Sequence, residues 1–111
     1  MRSLKKPAAS KRAKLPRRVD FSRQFLRDWR RLSRSGRYDM RRLKAVMLLL
    51  IAHDAPLPPE RRDHALKGSL ASFRECHIGG DFLLIYRIDD TDGPSGSVYF
   101  ARAGTHADLF E

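Results

Sequence analysis

The chain is short of most features that would assign it to a familiar class. It carries one cysteine, Cys76, in 111 residues, which excludes an internal disulfide and suits a reducing compartment. No apolar run approaches the roughly 18 residues that a membrane span needs. The longest, Ala45 to Ala52, suits a buried helix, so no membrane partner is expected. A phosphate-binding P-loop and a dinucleotide fingerprint are both missing, and Gly79-Gly80 reads as a turn. CxxC, HxxxH and HExxH spacings are missing too, so neither a metal nor a cofactor is expected. No segment repeats.

Acid is absent from one end. The first eighteen residues hold eight lysines and arginines and no carboxylate. Nine more basic residues lie between Arg23 and Lys44, against Asp28 and Asp39 alone. From Ala45 onward, ten acids outnumber six bases. The net charge of +10 thus belongs to the N-terminal part. Such density attracts polyanions by neutralising phosphates and releasing counterions; the plain alternative is a solubilising extension. The basic start has no apolar segment behind it, which argues against secretion, and Pro7 and Pro16 interrupt any long amphipathic helix there. Residues 1–16 therefore read as a disordered basic tail, and residues 17–111 as one small cytoplasmic domain.

The apolar pattern changes period midway. Arg17 to Phe21 alternates and suggests a short strand. Ser22 is placed to cap a helix carrying Phe25, Leu26, Trp29 and Leu32 on one face, stopped by Gly36. Asp39 is placed to cap a second helix through Met40, Leu43, Val46, Met47, Leu50 and Ile51. His53 at its end would complement the helix dipole. Ala55-Pro56-Leu57-Pro58-Pro59 cannot continue a helix. Three strands follow, over 72–78, 81–88 and 98–102, with a polar loop over 89–96 and a closing turn or short helix over 104–110. The order β-α-α-β-β-β predicts an α+β domain, a helical hairpin packed on a small antiparallel sheet.

What the chain does have is histidine in the sheet half. Strand alternation puts Glu75 and His77 on one face, and Arg74, Cys76 and Ile78 on the other. His64 precedes these strands, and His106 follows the last one. Any one histidine is as readily structural or merely exposed as catalytic. Together with Glu75, Asp81, Lys67, Arg74 and Arg102 they fit a specific chemistry. Metal-free RNA cleavage needs a base for the ribose 2′-hydroxyl, an acid for the departing 5′-oxygen, and cations for the charge gathering on phosphate. Imidazoles and guanidiniums supply these near neutral pH.

Four segments carry a resemblance. They are Asp63-His64-Ala65-Leu66-Lys67-Gly68-Ser69, Phe73-Arg74-Glu75-Cys76-His77-Ile78, Asp81-Phe82-Leu83-Leu84-Ile85-Tyr86, and Arg102-Ala103-Gly104-Thr105-His106-Ala107-Asp108-Leu109-Phe110. In order and spacing they resemble the YafQ branch of the RelE/ParE toxin superfamily. The resemblance implies a RelE-like fold and a ribosome-dependent mRNA endonuclease held inactive by a cognate antitoxin. It implies His106 as general acid, His64 and His77 in proton transfer or phosphate positioning, and Arg102 on the phosphate. Asp81 and Phe110 also fall on functional positions. Lys67, Arg74, Phe82 and Phe110 are the candidate RNA contacts. The chain departs from the family by Glu75 in place of aspartate, by Phe82 where tryptophan is frequent, and by a longer 89–96 loop. Two other readings stay open: a toxin of the same fold acting on DNA gyrase, and a non-catalytic basic RNA-binding protein.

Overall fold

A computed structural model describes residues 15–52 and 56–110. The tail over residues 1–14, His53 and the start of the proline segment lie outside the described residues. Strand β1 (Arg18–Phe21) leads into helices α1 (Arg23–Ser35) and α2 (Met40–Ala52). A two-residue strand β2 (His64–Ala65) follows, then β3 (Arg74–Gly79), β4 (Phe82–Asp89), β5 (Ser97–Gly104) and helix α3 (His106–Phe110). Single 3-10 turns over Pro59–Arg61 and Gly68–Leu70 bracket β2. No helix among the described residues is long and apolar enough to cross a membrane.

Local chemistry sets the helix boundaries. The Ser22 hydroxyl accepts the Phe25 N–H at 2.8 Å and donates to the Ala101 carbonyl at 2.6 Å. One residue thus caps α1 and ties it to β5. Gly36 closes α1 in the left-handed region at φ 70°. The Asp39 carboxylate accepts the Arg42 N–H at 2.9 Å at the start of α2. The buried stripe of α2 is Leu43, Val46, Met47 and Leu50, at helical spacing. With Phe25 and Leu32 of α1 it covers Cys76, Ile78, Leu84, Tyr86, Val98, Phe100 and Ala103 on one face of the sheet. Burial pushes the Cys76 thiol up to about 12, so it stays protonated and packs as a small apolar group.

The α+β class and the helical hairpin are as expected, and the sheet is mixed rather than wholly antiparallel. Its strand order is β1-β5-β4-β3-β2. β1 runs parallel to β5, with Val19 opposite Val98, while the other pairs are antiparallel. A parallel partner needs a long connection, and the helical hairpin with three intervening strands provides it. β2 went unanticipated because two residues carry no periodicity. The hydrogen bond from Leu66 N–H to the Phe73 carbonyl at 3.0 Å continues its pairing with β3.

Candidate active site

The second face of the sheet collects the histidines. Glu75 and His77 alternate with the core residues of β3, and His64 stands directly across from Glu75. On β4 their neighbours are Ile85 and Leu83, both buried, so the row rests on an apolar floor. Glu75 is itself 5% exposed. A carboxylate buried this far needs partners. They are two imidazoles, with His64 Nε2 at 3.5 Å and His77 Nε2 at 3.7 Å from the same Oε2.

His64 is oriented from behind. Arg62 takes the left-handed conformation at φ 50°, unusual for a residue with a Cβ. Its carbonyl then lies 2.8 Å from His64 Nδ1. A carbonyl only accepts, so Nδ1 carries the proton and Nε2 is the atom left to exchange one.

His106 enters from the other end of the row. Thr105 and Asp108 form a reciprocal cap around the first turn of α3. Thr105 N–H donates to Asp108 Oδ2 at 3.0 Å, and Asp108 N–H donates to Thr105 Oγ1 at 3.1 Å. Asp108 closes over Gly104 so tightly that a Cβ there would lie 2.9 Å from its carboxylate oxygen. This accounts for the glycine in the closing Arg-x-Gly-Thr-His run. The cap turns His106 toward Asp81, whose Oδ1 accepts from His106 Nδ1 at 2.6 Å. The ring and the backbone N–H of His106 together hold the Asp81 carboxyl below its usual range. With Nδ1 donating, Nε2 is again the nitrogen left to exchange a proton. The His106 ring lies 6.5 Å from that of His77 and 5.9 Å from Phe110, centroid to centroid.

Six of the ten predicted residues therefore converge: His64, Glu75, His77, Asp81, His106 and Phe110. Four stand elsewhere. Arg74 is on the opposite face, where it grips Asp63 with Nε at 3.1 Å and Nη2 at 2.9 Å. Asp63 also accepts the Tyr86 hydroxyl, so Arg74 is held in a structural cluster on the face away from the histidine row. Phe82 is 5% exposed and packs on Tyr38, so it belongs to the core instead of a stacking surface. Lys67 is exposed at the start of the second 3-10 turn. Arg102 lies opposite Ile85 at the edge of the row, and Asp28 of α1 holds two of its nitrogens, at 2.8 and 3.2 Å.

Asp28 is the residue that the sequence reading missed. It is 2% exposed and also accepts the Ala103 N–H at 3.0 Å. Arg31 bridges it to Asp108, at 3.4 and 3.3 Å. A chain of ionic contacts thus runs from α1 to the turn that presents His106. The available signal was a single acid inside an arginine-rich helix. Arg61 was missed as well. Its Nη1 donates to the carbonyls of His77 at 3.1 Å and Ile78 at 2.7 Å, on the stretch of β3 that the short β2 leaves uncovered. With Arg42 and Arg62 it lines a depression of about 270 Å³ beside His77. Among the described residues, no three His, Cys, Asp or Glu side chains converge as metal ligands.

A helical hairpin on a small mixed sheet is a fold shared with solved toxin structures. Residues 17–111 match the family described as bacterial toxin of type II toxin–antitoxin system, YafQ. The class is therefore a type II toxin. The chain belongs to the YafQ family, whose Escherichia coli members are named mRNA interferase toxins, that is, endoribonucleases. It is 38% identical to the mRNA interferase toxin YafQ of Escherichia coli K12 over 86% of this chain and 98% of that one. It is 36% identical to a putative toxin YafQ of Haemophilus influenzae, over 83% and 90%. Among solved structures, the E. coli DinJ–YafQ toxin–antitoxin complex contains a chain with a TM-score of 0.75 at 37% identity, covering 87% of this chain and all of that one.

Proposed function

We propose that this protein cleaves mRNA on the ribosome without a metal, by attack of a ribose 2′-hydroxyl on the adjacent phosphate, and that a cognate antitoxin restrains it in the bacterial cytoplasm. The observation that carries the reading is the pairing of each outer histidine with a fixed acceptor. His64 and His106 both donate from Nδ1, to the Arg62 carbonyl and to Asp81, which leaves Nε2 of each for proton transfer.

His106 is the general acid. Its protonated Nε2 gives a proton to the departing 5′-oxygen while Asp81 holds the ring. The base is the His64–Glu75–His77 group. Whichever imidazole takes the 2′-hydroxyl proton, the carboxylate between them stabilises the charge it gains, and the buried floor strengthens that interaction. Arg102, fixed by Asp28, supplies the standing positive charge near the phosphate. The antitoxin follows from the family and from the relative crystallised with one. We assign residues 17–111 to the toxin domain and residues 1–16 to a basic extension that adds attraction for ribosomal RNA.

Controlled expression of the intact chain and of His106→Ala, with transcript ends mapped in translating cells, tests this reading. The expected result is growth arrest with in-frame cleavage for the intact chain, and a fall of about 10²–10⁴-fold in cleavage for the variant. Equal toxicity of the two would overturn the acid–base assignment. DNA damage without RNA cleavage would point to gyrase.

A further inference from the structure

The row of histidines is only half of the open face. Two residues before Glu75, on the same side of the strand, stands Phe73. Arg87 follows Ile85 by two on β4, and Tyr99 is its direct partner on β5. The Arg87 guanidinium carbon lies 4.9 Å from the Phe73 ring centroid and 4.8 Å from that of Tyr99, and the two rings are 6.5 Å apart. Arg87 is exposed, and both rings are half-buried. A flat cation is thus held by two aromatic faces at the surface, one strand pitch of about 6.6 Å from the catalytic carboxylate.

We propose that Phe73, Arg87 and Tyr99 form a nucleotide platform that takes a base of single-stranded RNA next to the cleaved linkage. The inference rests on the RNA-cleaving reading of the histidine row. Unpaired bases are recognised by stacking on aromatic rings and on guanidinium planes, with phosphates met by the same cation. A guanidinium that snorkels freely would sample many rotamers, whereas this one is ordered by its two cation–π contacts. The platform is continuous with the histidines, lies on their face of the sheet, and sits within one nucleotide's reach of Glu75. A strand of RNA crossing from β3 toward β5 meets proton-transfer groups at one end and a stacking surface at the other. Position on the codon would then be set by the platform and cleavage by the histidines.

The test uses the full chain with translating ribosomes and one defined mRNA. A parallel arm measures binding of a non-cleavable 2′-O-methyl oligoribonucleotide to the protein alone. Tyr99→Ala and Arg87→Ala are each expected to raise KM about tenfold, with kcat unchanged and the spread of cleaved positions widened. Arg87→Lys, which keeps the charge and loses the plane, should recover only part of the loss. Unchanged KM and unchanged cleavage positions in both alanine variants would overturn the proposal. So would a silent Tyr99→Ala together with full rescue by lysine, because the site would then be a point charge. If the wild-type chain cleaves nothing, the functional reading fails, and the oligoribonucleotide arm decides the platform by itself. Weaker binding by both variants upholds it, and equal binding overturns it.

Discussion

Residues 73 to 78 alternate between two fates. Arg74, Cys76 and Ile78 face the helical hairpin, where Cys76 and Ile78 are fully buried and Arg74 is locked to Asp63. Phe73, Glu75 and His77 face the other way, toward histidines, an arginine and solvent. The same backbone therefore carries a packed face, where ionic groups serve the fold, and an open face, which holds the groups proposed to exchange protons. Charge type does not distinguish the two. Arg74 and Glu75 are adjacent and both ionisable, and only the direction of the side chain decides which one is structural. A period-2 element makes such neighbours independent.

Asp28 is where the two regions are joined, and its replacement should give the largest effect on stability. It lies on α1, yet its partners Arg102, Ala103 and Arg31 lead to the turn that holds His106. Removing one member of a buried ion pair leaves the other uncompensated, at a cost of about 3–5 kcal/mol. Asp28→Asn keeps the shape and loses the charge. Denaturant unfolding should show most of that loss, and cleavage by the folded fraction should also fall, because Arg102 and α3 are no longer held. A destabilised variant of full specific activity would show that the network serves packing alone.

The next contrast sets Arg74→Ala against Glu75→Gln, neighbours on opposite faces. Arg74→Ala should cost about 1 kcal/mol, because Asp63 keeps the Tyr86 hydroxyl and loses a partly exposed cation. Its cleavage should be intact once the unfolded fraction is discounted. Glu75→Gln should reverse the pattern, with a smaller change in stability and a clear drop in kcat. Chemical unfolding and single-turnover cleavage measured on both variants check this. Both variants losing activity alike would dissolve the distinction between the faces.

Much of this was legible beforehand. The apolar spacing of α1 and α2, with Ser22, Gly36 and Asp39 at their ends, fixed the hairpin because helix periodicity and capping are local. Glu75 and His77 could be put on one face by alternation, and the closing Arg-x-Gly-Thr-His run by resemblance. What stayed hidden depends on contacts distant in sequence. Nothing in the spacing says that Arg102 meets Asp28, 74 positions away. Nor does it say that Arg74 folds onto Asp63, or that Phe82 is sealed by Tyr38. Arginine and phenylalanine suit both RNA contact and packing, so residue type alone could not place them.

A smaller effect follows from pH. Asp81 is exposed, and hydrogen bonds from His106 lower its pKa relative to the usual 3.8. A depressed carboxyl keeps its contribution above the unfolded value and loses it as pH falls through the folded one. The orientation of His106 should therefore be constant across the neutral range and released only below about pH 3.8. Nitrogen-15 spectra of the His106 ring should show Nδ1 as the hydrogen-bonded donor down to that region, and Asp81→Asn should abolish the acid transition. Loss of the Nδ1 hydrogen bond already near neutrality would mean that another group orients the ring.

Salt should give the smallest effect, and it tests whether the basic N-terminal part is separable from the chemistry. Residues 1–16 carry six lysines and arginines and none of the groups in the histidine row. If they act by neutralising ribosomal phosphates, their removal weakens ribosome binding at low salt and lowers the slope of log K against log salt by at most about 4, at roughly 0.7 for each single-strand phosphate. Above physiological salt the difference should shrink as exposed charges are screened. Throughout, kcat for bound ribosomes should equal that of the intact chain, because Asp81, His106 and the His64–Glu75–His77 group are held by contacts within residues 28–108. A truncated chain that binds normally at every salt concentration would mean that docking relies on the arginines of α1 and α2. A truncated chain that binds but cleaves slowly would mean that the extension reaches the open face of the sheet.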